Sequence, residues 1–156
     1  QVHFFPWART EGIKKVHALL AEFPVRAVIM DNLTNIDMSD DTNDYGMDEA
    51  FRSLLNHPAV HFRFTTLGLH KCTAARVDPA AAIRAIAGQC GAERLLWGSD
   101  ILPPGLNYVD AVRLGREAVA LLSTAAGADI LCTTAQRLFF ADARCATTSS
   151  NTGEHA

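Results

Sequence analysis

The feature that most constrains the fold is a strand-then-helix pattern that repeats four times along the chain. Four short apolar runs indicate buried strands, at residues 2–5, 26–30, 60–67 and 94–97. Segments with helical character follow them, at residues 11–22, 48–55, 79–89 and 108–123, and a shorter one lies at residues 129–139. Asp78 before Pro79, and Asn107 further along, are suitable helix N-caps. Residues 70–73 are expected to form a loop. The pattern predicts an α/β fold with a parallel sheet.

The apolar character of the runs leaves two architectures open. Parallel strands are buried on both faces, which explains why the runs do not alternate with polar residues. An open doubly wound sheet and part of a (β/α)8 barrel both fit, although neither Gly-rich phosphate-binding motif follows any run. A complete barrel needs about 250 residues and eight strands, so four units amount to half of one. We expect residues 1–140 to form a partial barrel domain and residues 141–156 to form a disordered tail.

Composition excludes several classes of protein. The 156 residues carry 14 Lys and Arg against 17 Asp and Glu, and 49% are hydrophobic, which excludes a disordered chain and a polybasic nucleic-acid binder. The apolar runs are far shorter than the roughly 18–20 residues of a membrane span, and the start does not resemble a signal peptide. Four irregularly spaced cysteines favour free thiols, so we expect a cytoplasmic protein. The chain begins without Met and enters an apolar segment at once, which suggests a fragment.

The polar residues at the ends of the predicted strands are the candidates for a functional site, because loops and helix N-termini converge there. Asp100 follows Gly98 at the end of the fourth strand, where a carboxylate is unfavourable unless it is paired or metal-bound; capping a turn is the alternative. Arg63 lies inside a buried strand and needs a partner, either a substrate carboxylate or a structural ion pair. His70 and Lys71 form a candidate anion contact, or else an exposed loop pair.

Several of these segments carry a family resemblance. The run L-L-W-G-S-D at residues 95–100 and T-A-Q-R-L-F at 134–139 resemble the C-terminal end of the amidohydrolase-2 family, which consists of TIM-barrel metal-dependent hydrolases and decarboxylases. Residues 4–7 resemble the family's H-P-W strand end, residues 22–24 and 28–33 its segment ending D-H-L-G, and residues 57–60 and 63–68 the next strand. The resemblance covers about residues 1–140, as strands five to eight of the barrel.

The resemblance implies a divalent metal, usually zinc, held by an H-x-H pair on strand one, a His on strand five and an Asp on strand eight. Asp100 matches the last position, where the family's Asp is a metal ligand and takes a proton from the bound water. Such a site lowers the pKa of water to about 7. The implied reaction is hydrolysis or decarboxylation of a small carboxylate-bearing substrate by metal-activated water.

The chain departs from the family pattern at three places. It lacks the H-x-H strand, and Phe5 stands in the H-P-W position, with His3 two residues earlier as a possible ligand. Asn32 replaces the family's His and cannot act as a base near pH 7. Asn32, Arg63 and His70 remain possible substrate contacts. We expect no activity from this chain alone, and we expect pairing with a missing N-terminal half or self-association. The alternative is a non-catalytic barrel remnant or binding module.

Overall fold

The computed structural model describes residues 2–5, 8–38, 44–100 and 104–140. The predicted C-terminal tail at 141–156, and residues 6 and 7 of the H-P-W position, lie outside the described residues. No helix within the described ranges is long and apolar enough to cross a membrane.

The centre of the fold is a four-stranded sheet in which every pairing is parallel. Its strands are β1 (Val2–Phe4), β2 (Val28–Met30), β3 (Val60–Thr65) and β4 (Leu95–Gly98), and they lie side by side in chain order. An open doubly wound sheet has a point at which the strand order reverses. The described strands show no such reversal, so the sheet has the topology of a TIM-barrel wall.

Seven α-helices connect or follow the strands within the described residues. They are α1 (Arg9–Glu22), α2 (Glu49–Leu55), α3 (Thr66–Ala74), α4 (Pro79–Cys90), α5 (Tyr108–Ala118), α6 (Thr124–Ala128) and α7 (Thr134–Phe140). A π-helical turn at Asp129–Thr133 joins the last two. The caps at Asp78 and Asn107 are confirmed, because their side chains accept hydrogen bonds from the backbone N–H groups of Ala80 and Asp110, each at 3.0 Å.

Two of the sequence-based boundaries are wrong. Residues 70–73 belong to α3 rather than to a loop. The helix after Asn107 ends at Ala118, well before residue 123. The four strands are found where the sequence predicts them, each with ends shifted by no more than two residues.

The two faces of the sheet are covered differently. One face packs against the helices through fully buried side chains such as Val28, Phe62 and Leu95, and this layer is the main hydrophobic core. On the other face, Ile29 and Leu96 pack against Leu138 of α7. A half-barrel would be expected to leave this second face bare, but α7 covers its lower part. The polar residues at the carboxyl ends of the strands lie above this contact.

Candidate functional site

An ion pair stands at the carboxyl end of the sheet, on the face away from the main core. Arg63 on β3 and Asp31, directly after β2, lie side by side because Met30 is in register with Phe62. Arg63 Nε is 2.9 Å from Asp31 Oδ1, and both atoms are buried, although they are not aligned as a hydrogen bond. Arg63 therefore has a structural ion-pair partner, which is one of the two alternatives that the sequence left open for it.

The stem of Arg63 is positioned by β4. A Cβ atom at Gly98 would lie only 3.2 Å from Arg63 Cδ, so the absence of a side chain at Gly98 makes room for the arginine. The guanidinium carries five N–H donors, and Nε faces Asp31. The remaining donors are suited to a second acceptor, such as a carboxylate of a ligand.

Electrostatics joins Asp31 to two further groups. Burial raises the pKa of Asp31 above its ordinary value, and the negative charge of Asp100 raises it further. The positive charges of Arg63 and His3 act in the opposite direction but do not cancel the effect of burial. Asp31 therefore senses the charges of Arg63, His3 and Asp100, and we call these four residues the strand-end cluster.

The predicted metal ligands His3 and Asp100 are both exposed. His3 stacks on Phe139 of α7, with ring centroids 5.6 Å apart. Asp100 stands two residues beyond β4 with a φ of +56°, a left-handed conformation that Asp adopts more readily than most residues. Among the described residues, no three His, Cys, Asp or Glu side chains are close enough to hold a metal ion. The described part of the chain therefore does not form a complete metal site by itself.

A left-handed turn shapes the neighbouring strand end. Four consecutive residues, Asn32 to Asn35, have φ values between +48° and +60°, although none of them is glycine. Such a conformation is unfavourable by roughly 1–2 kcal/mol per residue, so surrounding contacts must hold it. Arg9 Nε donates to the carbonyl oxygen of Thr34 at 2.8 Å, and the same guanidinium forms an ion pair with Asp48. The turn is thereby fixed to helices α1 and α2.

A pocket of about 570 Å³ lies between this turn and helix α3. Asn32 lines it and accepts a hydrogen bond from Thr65 Oγ1 at 2.8 Å, and Phe64 and Lys71 line it as well. His70 is exposed on α3 and is not among the lining residues, whereas Lys71, the next residue, is. The structure thus brings Asn32 to a pocket, and Arg63, His3 and Asp100 to one electrostatic cluster.

Asp31 and Thr65 are among the polar residues at the predicted strand ends, but sequence reasoning assigned neither of them a role in the site. Asp31 stands at the strand end, but the resemblance directs attention to the following residue, Asn32. The signal that could have found Asp31 is the unpaired charge of Arg63 on the adjacent strand, since neighbouring parallel strands bring their ends together. Thr65 carries no comparable signal in the sequence.

Solved structures share this architecture. An amidohydrolase from Burkholderia multivorans with bound zinc matches with a TM-score of 0.56 and 22% identity, over 82% of this chain and 49% of that chain. A putative 2-pyrone-4,6-dicarboxylic acid hydrolase from Pseudomonas putida matches with a TM-score of 0.60 and 23% identity, over 84% and 48%. The chain thus spans about half the length of these structures, and at this identity the similarity shows the fold.

The fold is therefore that of a TIM-barrel-type α/β protein. The model of the amidohydrolase family matches residues 5–141, which is most of the chain. The chain belongs to the amidohydrolase family, as the resemblance indicates. A comparison with curated proteins found no match.

Proposed function

We propose that these four strands are strands five to eight of a metal-dependent amidohydrolase barrel, which hydrolyses or decarboxylates a small carboxylate-bearing substrate. The observation that carries the proposal is the placement of Arg63. Its guanidinium is fixed by Asp31 and by the space above Gly98, at the strand ends where barrel enzymes bind substrates. A planar guanidinium in this position suits bidentate recognition of a carboxylate.

Each candidate residue has a proposed role in this barrel. Arg63 binds the substrate carboxylate, and Asn32, held by Thr65, contacts the substrate at the entrance of the pocket. Asp100 is the proposed metal ligand and proton acceptor, with His3 as a second ligand. Lys71 lines the pocket and is the proposed anion contact, together with the neighbouring His70, which is exposed on α3.

The metal is proposed for the completed barrel. Family membership favours a divalent ion, and the zinc in the Burkholderia multivorans structure favours zinc in particular. The described residues do not bring three donors together, and we propose that the remaining ligands come from the other half of the barrel. The edge strands β1 and β4 each have one side free to pair within the described sheet, and we propose that a second half-barrel pairs with them.

The test is metal analysis and a hydrolase assay on the protein with its barrel complete. We expect near-stoichiometric zinc or manganese, and we expect Asp100→Asn to lose both metal and activity. Arg63→Gln should keep the metal but raise KM for carboxylate substrates. Asp110→Asn is the matched control, since this carboxylate lies on α5 and faces Arg113 at 3.7 Å. A metal-free wild type, or an Asp100→Asn variant that keeps its metal, would contradict the proposal.

A non-catalytic binding role is the second candidate. The replacement of the family's His by Asn32 favours it, because an amide cannot act as a base. Under this alternative the completed protein contains no metal, and carboxylate ligands still bind in an Arg63-dependent way. The cytoplasm is our proposed location, and it rests on the cysteine usage: Cys72 and Cys90 are buried free thiols and Cys132 is an exposed one.

A further inference from the structure

A pair of histidines lies outside the strand-end cluster, where helix α1 meets the end of α2. His17 Nδ1 and His57 Nε2 are 3.0 Å apart. The ring centroids are separated by 5.0 Å and the ring planes are tilted by 54°. Both side chains are half-buried. On the other side of the His17 ring, Nε2 is 2.9 Å from Ser53 Oγ.

The hydrogen bonds determine where the ring protons are. Ser53 donates its hydroxyl proton to the carbonyl oxygen of Ala50 at 2.7 Å, so Ser53 Oγ must accept from Nε2–H of His17. His17 therefore presents an unprotonated Nδ1 to His57. One proton lies between the two ring nitrogens, and Ser53 fixes the tautomer of His17. Metal-binding histidines are oriented by a second hydrogen bond in the same way.

The distance between His17 Nδ1 and His57 Nε2 also fits a shared metal ion. Two nitrogens bound to one metal at about 2.1 Å lie about 3.0 Å apart when the ligand angle is 90°, as in tetragonal Cu²⁺ or Ni²⁺ sites. His17 and His57 already have this separation. Burial, and secondarily the charge of His57, lower the pKa of His17, which favours the neutral ring that a metal requires.

We propose that His17 and His57 form a binding site for a divalent transition-metal ion of the Cu²⁺ or Ni²⁺ type, which links α1 to α2. On binding, the proton between the rings moves through solvent to Nδ1 of His57, and the metal ion takes its place. Both rings stay neutral, so the step involves no oxidation and no net loss of a proton. Water molecules complete the coordination. The site is independent of the proposed hydrolase function.

Titration of the full chain with Cu²⁺ at pH 7.5, followed by electron paramagnetic resonance, tests the proposal. We expect one ion with coupling to two imidazole nitrogens. His17→Gln and His57→Gln should each abolish the two-nitrogen signal. Ser53→Ala should weaken binding by about tenfold, because it removes the group that orients His17. His70→Gln is the matched control on an exposed histidine and should bind as the wild type does.

Further controls separate this site from other histidines and define the results that overturn the proposal. His3→Gln should retain the two-nitrogen signal, which separates this site from the strand-end cluster. Should either glutamine variant lose its helical circular dichroism, Ser53→Ala alone carries the test. A wild-type spectrum with a single nitrogen, or unchanged Cu²⁺ affinity in a folded His17→Gln variant, overturns the proposal.

Discussion

Gly115→Ala should destabilise the fold, although alanine is the better helix former. Gly115 of α5 faces Trp97 of β4, and an added Cβ would lie 2.8 Å from Trp97 Cε2 and 3.0 Å from Nε1. Carbon atoms in contact normally lie about 3.5–4.0 Å apart, so helix and indole must separate by about 0.7 Å. Overpacking of this kind costs about 1–3 kcal/mol, and the higher helix propensity of alanine returns up to about 1 kcal/mol. We expect a net loss of about 1–2 kcal/mol.

Gly88→Ala provides the matched control on the preceding helix, α4. Outside the adjoining residues and backbone of α4 itself, no heavy atom lies within 4 Å of the Cβ position at Gly88, so the same substitution should stabilise the protein by up to about 1 kcal/mol. Urea denaturation measures the change in the free energy of unfolding for both variants. In thermal denaturation, each 1 kcal/mol corresponds to a shift in the melting temperature of about 2–4 °C. Trp97→Phe, which removes the pyrrole ring, should recover part of the loss in the Gly115→Ala background. Equal shifts of the same sign at both glycines would refute the reasoning.

Three further changes test other parts of the structure. Gly98→Ala should displace Arg63 and raise KM for carboxylate substrates at least severalfold with little change in melting temperature; an unchanged KM in a kinetic assay would contradict this. Asp48→Ala removes the N-cap of α2 and should lower the free energy of unfolding by about 1–2 kcal/mol in urea denaturation, whereas a neutral effect would show that the cap does not matter. Burial lowers the pKa of His17 and His61, so the unfolded chain takes up protons first as the pH falls below about 6.5. Stability should therefore be lower at pH 5.5 than at pH 7.5, and the double variant His17→Gln/His61→Gln should show a smaller difference.

Local signals account for the parts of the fold that the sequence predicts well. The caps at Asp78 and Asn107 act on backbone groups two or three residues away, and both are confirmed. The sequence-based prediction for α3 fails because the contacts that stabilise this helix are not local in the sequence. Its interior Gly68 argues against a helix in the sequence, yet Met38 Cε occupies the space in which a Cβ would lie, at 2.6 Å. Only the folded chain brings Met38 to this position.

The same distinction explains what could be predicted of the site. Asp100 and Arg63 stand out because each is a charge at a strand that is otherwise apolar. The partner of Arg63 could not be chosen, because Asp31 is 32 positions away and competes with several other carboxylates in the sequence. The left-handed turn after β2 is equally hidden, since the contact that holds it comes from Arg9 on α1.

The second face of the sheet is apolar and covered by α7 in its lower part, and charged at the strand ends. This difference determines which partner or ligand suits the site. Leu138 of α7 already covers the apolar residues of the lower part, so the part that remains for a partner or ligand is the charged rim. The strand-end cluster contains two carboxylates, Asp31 and Asp100, and one guanidinium, that of Arg63, so it carries a formal excess of one negative charge when His3 is neutral. Asp31 is the half-buried carboxylate of the two, and its pKa is raised chiefly by burial and to a smaller extent by the negative charge of Asp100. A cation would stabilise the charged form of Asp31, whereas a further apolar surface would destabilise it. The electrostatics at Asp31 is therefore compatible with the proposed completion of the barrel, in which a metal ion or basic groups would lie at this rim.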